Sequence, residues 1–201
     1  MTVHSHTRTI AVAAGSVFAV AQLAVFLAAG RGDRAEVTAT AFYRGSCVLL
    51  LAGFIGLVFA AFALYARQGG RAGMLGAAGL AGAVTGTVLM AGDWWFETFA
   101  VPFYAEVLPQ TLDVQGSGWL AAGGLTSYVT FALGWALFGL AGLRAGALSR
   151  PAGVALIVGG LVGYGAVLPP YGFALGAAVV WAGLTVRGVP ADERALQPAR
   201  S

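Results

Sequence analysis

The chain has 201 residues, of which 59% are hydrophobic and only 9% charged, and its mean hydropathy is +0.82. A soluble domain normally carries about 25% charged residues, so this composition belongs to an integral membrane protein. The formal charge of +3 comes from arginines scattered singly between apolar runs, and without a basic patch nucleic acid is not an expected partner.

A hydrocarbon core about 30 Å thick needs about 20 apolar helical residues, and uncharged runs of that kind predict six spans. They cover 9–29, 45–66, 72–91, 119–143, 151–168 and 171–186. A polar leader, 1–8, precedes the first and holds both histidines, His4 and His6. The first run exceeds the roughly 7 to 15 residues of a signal-peptide core, so it reads as a permanent span. Its follower, 30–44, carries Arg31, Arg34 and Arg44 partly neutralised by Asp33 and Glu36; the Arg31-Gly32-Asp33 triplet is too short a motif to carry weight. Between spans three and four, 92–118 forms an acidic, aromatic segment with no basic residue. Spans five and six are separated by Pro169 and Pro170, which remove amide donors, so 151–187 reads as a tight hairpin that either spans twice or re-enters. A polar tail, 188–201, ends the chain.

The expected fold is therefore all-α, a six-transmembrane-helix bundle. Basic residues favour the cytoplasmic side. With both termini inside, Arg8, Arg67, Arg71, Arg144, Arg150, Arg187, Arg194 and Arg200 lie on that side, against Arg31, Arg34 and Arg44 outside. This predicts a multi-pass membrane protein with both termini on the cytoplasmic side. Spans two and three resemble spans four and five, through Ala63-Leu64-Tyr65-Ala66-Arg67 and Leu140-Ala141-Gly142-Leu143-Arg144, which suggests a parallel hairpin repeat. The 31 glycines include small-xxx-small pairs such as Gly82 with Gly86 and Gly159 with Gly163, suited to close helix packing in lipid and leaving homo-oligomer or membrane-partner contacts open.

Chemistry concentrates in residues 93–106. Asp93 and Glu97 stand four residues apart, on one face if the third helix continues past Gly92, and two carboxylates in a dry site cannot both ionise cheaply. That makes the pair a candidate general acid, Glu97 and Asp93 being the catalytic candidates. Trp94, Trp95, Phe96, Phe99, Phe103 and Tyr104 surround them and suit a lipophilic chain or a cation. Tyr128, Trp135, Tyr164 and Gln22 are further candidates for lining a substrate cavity. The competing reading is interfacial: Trp and Tyr favour the headgroup region, and the carboxylates there pair with Arg31, Arg34 or Arg44. Pro102 and Pro109 bracket a short surface helix as a lid or belt. A single cysteine, Cys47, leaves no disulfide or thiolate cluster, and neither a metal-ligand spacing nor a phosphate loop occurs, so no metal and no cofactor are expected.

Arginine-punctuated Ala/Gly/Leu spans without lysine resemble the small multi-pass membrane proteins of high-GC actinobacteria. Locally, Trp94, Trp95, Phe96, Glu97, Phe103 and Tyr104 resemble the motif of integral-membrane terpene cyclases, in which a tryptophan adjoins a catalytic glutamate and aromatics follow. That resemblance implies Glu97 as the acid that protonates an alkene or epoxide, Asp93 as its partner, and rings that shield the carbocation. The expected function is binding of a lipophilic, isoprenoid-like substrate in an outer-leaflet pocket with carboxylate general acid catalysis. A carrier or binding protein for a small hydrophobic or cationic molecule, or an accessory subunit of a membrane complex, is the alternative.

Overall fold

A computed structural model describes residues 3–30, 33–112, 118–164 and 169–186, in which the regular secondary structure is all helical. The elements are α1 (Val3–Ala29), α2 (Arg34–Ala39), α3 (Ala41–Gln68), α4 (Gly73–Trp95), α5 (Val101–Val107), α6 (Trp119–Arg144), α7 (Arg150–Val162) and α8 (Phe173–Thr185). Four apolar helical stretches are long enough to cross a bilayer: α1, α3, α6, and the continuous run Gly70–Val107 that contains α4 and α5. The shorter α7 and α8 are each about 20 Å long, less than a hydrocarbon core. The expected leader is helical from Val3, while Arg31, Asp113, residues 165–168 of the fifth predicted span, Arg187 and the predicted tail lie outside the described residues.

The six apolar helices form a closed ring in chain order, each packed on its neighbours, with α8 returning to α1. Glycine sets the spacing. A Cβ at Gly82 would stand 2.9 Å from Gly134 Cα, and one at Gly79 would stand 2.8 Å from the Phe138 nitrogen. A Cβ at Gly86 would overlap the Phe131 backbone, so α4 and α6 touch main chain to main chain and antiparallel. Gly15 meets Gly176, and Gly53 meets Phe18, giving α1 the same close approach to α8 and α3. Pairing of Ala11 with Gly183 and of Gln22 with Gly172 makes α8 antiparallel to α1, so the helix that opens the ring and the helix that closes it have their chain-end termini at one end.

The ring encloses no open axis at mid-height. Phe18 stacks edge-on to Phe54 at 4.9 Å, and Phe54 to Phe131 of the non-adjacent α6 at 6.0 Å; all three are fully buried. Trp135, also fully buried, donates its ring N–H to Thr87 Oγ1 at 3.0 Å, and the Thr87 hydroxyl in turn donates to Ala83 O at 2.6 Å. This satisfies the only polar atom the indole brings into an apolar layer.

Local chemistry explains the turns. After α6, the Ala147 N–H bonds Gly142 O and the Gly146 N–H bonds Leu143 O, a Schellman closure that needs the positive φ (65°) of Gly146. Ser149 then caps α7, accepting from the Ala152 N–H at 3.4 Å, with Pro151 in the first turn.

The third predicted span, 72–91, does not stop at residue 91. The helix runs on to Trp95 and, through a wide turn at Phe96–Ala100 in which the Val101 N–H reaches Phe96 O, into α5. Pro102 has no N–H to give and its ring crowds the carbonyl four residues back; the widened turn absorbs both defects, so the helix bulges rather than breaks. Thr98 helps by donating to Trp94 O at 2.6 Å.

Candidate functional site

The acidic end of the bundle is assembled by α2, the upper turns of α1, α3, α4 and α6, and Pro169. Asp33 starts α2 by accepting from the Ala35 N–H at 2.8 Å, which fixes Arg34 as its first helical residue. Arg44 closes the other end of α2 by donating to Thr38 O at 2.9 Å, and its guanidinium also reaches Glu106 of α5 at 3.5 Å. The short helix is thereby pinned between α3 and α5.

Glu97 is held from two sides. Arg34 donates to Oε2 at 3.1 Å and the Tyr43 hydroxyl to Oε1 at 2.8 Å. Arg34 also donates to Leu112 O at 3.3 Å, tying the segment after α5 to the same cation. Tyr43 is buried while Arg34 is half exposed, so the pair grades from an apolar interior to the mouth of the site. Asp93, one turn earlier, has no such cation among the described residues. Ser127 of α6 is its neighbouring hydroxyl, and its second oxygen, Oδ2, is buried with no hydrogen-bond partner. The pairing with an arginine that the sequence allowed is found for Glu97, and both acidic residues border an open space.

That space is a partly open cavity of about 500 Å³. Both carboxyl-bearing residues line it, together with Arg34, Tyr43, Trp94 and Tyr128, and its apolar wall comes from Val25, Ala29, Val37 and Met90. Such a volume and lining suit a small, mostly apolar ligand with one polar end.

The remaining sequence candidates divide. Trp94 and Tyr128 line the cavity, and Tyr164 packs edge-on against Tyr128 at 6.3 Å from a half-exposed position. Trp95, Phe96, Phe99, Phe103 and Tyr104 turn outward, between 37% and 57% exposed, and stack on one another as an external belt: Trp95 on Phe99, and Tyr104 on both Phe96 and Phe103. Trp135 lies in the closed core and does not reach the cavity. Gln22 is fully buried one turn beneath Val25, against Gly172, with both amide atoms unpartnered. Of the cavity residues, Val25, Ala29, Val37, Thr38, Tyr43 and Met90 escaped the sequence reading; Tyr43 was marked only by being a phenol just before an apolar span. Arg34 had appeared there as a partner for the carboxylates, and it fills that role beside the cavity rather than instead of it. Among the described residues no three potential metal ligands come together.

No protein-family model matches the chain, and no curated protein or solved structure is similar to it.

Proposed function

We propose that this multi-pass membrane protein binds a lipophilic, isoprenoid-like molecule in the cavity at its acidic end and that Asp93 acts on the polar or unsaturated end of that molecule as a general acid. The observation that carries the reading is the Asp93 carboxyl, with one oxygen unpartnered and buried, on a cavity that Val25, Ala29, Val37, Met90, Trp94 and Tyr128 line beside the Arg34–Glu97 pair. Glu97, engaged by Arg34 and Tyr43, serves better as a fixed counter-charge than as a proton donor. This exchanges the roles that the cyclase resemblance implies. Tyr43, Trp94 and Tyr128 supply ring faces toward a developing positive charge.

Orientation follows from charge. The end that carries Arg8, Arg67, Arg71, Arg144 and Arg150 has no acid among the described residues, whereas Asp33, Glu36, Asp93, Glu97 and Glu106 gather at the other. By the preference of basic residues for the cytoplasmic side, the cavity opens toward the outer leaflet with the termini inside.

The test is isotopic. Protein in nanodiscs is incubated in heavy water with linear isoprenoids ending in an alkene or an epoxide. General acid catalysis delivers one solvent deuteron to carbon in the alkene product, seen by mass spectrometry, and Asp93→Asn abolishes turnover while the substrate still binds. Turnover that survives Asp93→Asn removes the proposed role. The same cavity favours a second reading, a carrier for a small hydrophobic or cationic molecule, because a single unpaired carboxylate among rings is also a cation site. Binding without turnover of either substrate selects it.

A further inference from the structure

A second hollow, about 570 Å³, lies on the outside of the bundle between α4 and α6. Its walls are Val88, Leu89 and Gly92 of α4 and Trp119, Ala122 and Gly123 of α6, and Asp93 and Ser127 form its inner edge. Asp93 is thus common to the external groove and the internal cavity. On α6 the adjacent residues Ser127 and Tyr128 face the groove and the cavity respectively.

The groove exists because two helices that touch at mid-height part company above it. Gly82 and Gly86 lie against the α6 backbone, yet a Cβ at Gly92 or Gly123 would find no atom within 4 Å. The divergence leaves a V-shaped slot whose rim is strongly lipid-facing, with Trp119 93% and Val88 55% exposed. Lipid-facing helices part in this way at a cost in lost contact, and a glycine on each wall, Gly92 and Gly123, leaves the slot unfilled.

We propose that this slot is a lateral entrance from the bilayer, through which the hydrocarbon chain of a single-chain amphiphile passes between α4 and α6, with the Asp93, Ser127 and Tyr128 side chains as the septum that its polar head crosses last. The occupant is a flexible linear chain rather than a rigid ring system, since the slot narrows to main-chain contact at Gly86 and Phe131. The inference rests on the ligand cavity proposed above and adds to it the route of entry and the shape of what enters.

The probe is a long-chain fatty alcohol bearing a photoreactive diazirine, mixed with the protein in phospholipid nanodiscs and photolysed after increasing delays, with labelled residues mapped by mass spectrometry. In the unsubstituted protein the label reaches both the slot (Trp119) and the cavity (Val25, Val37). A graded series at Gly123, to Ala, Val and Phe, and Gly92→Phe on the facing helix slow cavity labelling progressively, by about tenfold or more for the Phe variants. Gly45→Phe, on an exposed face where a Cβ also meets nothing, leaves it unchanged. Cavity labelling at an unaltered rate in both Phe variants overturns the entrance while the cavity reading stands. Absence of cavity labelling in the unsubstituted protein overturns both.

Discussion

Two alanine substitutions on the same helix should move stability in opposite directions. At Gly134 a new methyl would overlap the carbonyl group of Gly82 and the nitrogen of Ala83, all main-chain atoms that cannot rotate away. Carbon atoms rest about 3.5–4.0 Å apart, so α6 must retreat by roughly 1 Å or more. That retreat strains the 3.0 Å bond from Trp135 to Thr87 and thins the contacts around Phe131 and Phe138. Overpacking of about 1–3 kcal/mol and a lost bond of about 1 kcal/mol give a penalty of about 2–4 kcal/mol. At Gly123 the same methyl meets nothing, and replacing a helical glycine there gains about 0.5–1 kcal/mol. For a chain of this size each kcal/mol shifts the thermal midpoint by roughly 2–4 °C, so Gly134→Ala should lose about 5–15 °C and Gly123→Ala gain up to about 4 °C. The assay is thermal unfolding in detergent, followed by Trp fluorescence. Equal shifts in the two variants, or an unchanged midpoint in Gly134→Ala, would show that α4 and α6 do not meet main chain to main chain.

Three further outcomes follow from the polar contacts. Thr87→Val keeps the shape but strands the buried Trp135 N–H, costing about 1–3 kcal/mol, and Trp135→Phe in that background should add little hydrogen-bond loss of its own; full additivity in thermal unfolding would contradict the bond. Tyr43→Phe and Glu97→Gln should be non-additive, with a coupling of about 1 kcal/mol, because the phenol and the carboxylate share one bond; zero coupling in the double-mutant cycle would refute that contact. Glu106→Gln should change stability by less than about 0.5 kcal/mol, since both partners of the Arg44 pair are well exposed, and a loss above about 1 kcal/mol would mean the pair is more enclosed than the structure shows.

Four long apolar helices and two shorter ones were readable in the sequence because lipid imposes a polarity on each and a length on those that cross it. The course of the chain through residues 92–107 was not. Pro102 reads as a stop in any helical pattern, and nothing in a linear sequence announces that a wide turn will carry the helix past it. The same turn changes the angular register, so the ring-rich stretch, whose composition is plain, does not reveal that Trp94 points in while Trp95, Phe96, Phe99 and Phe103 point out. The four-residue spacing of Asp93 and Glu97 was visible, but the difference between them was not. It depends on Arg34 and Tyr43, 63 and 54 residues away in sequence, which reach Glu97 only because Asp33 and Arg44 fix the ends of the short α2 helix.

The stack of Phe18, Phe54 and Phe131 divides the bundle across its height. Interlocked phenyl groups from three helices seal the interior below the cavity, and no side chain among them can swing aside without opening a void in a close-packed layer. A ligand held in the cavity would stay in that half of the bundle, because passage through the core to the opposite end would require this layer to be unpacked.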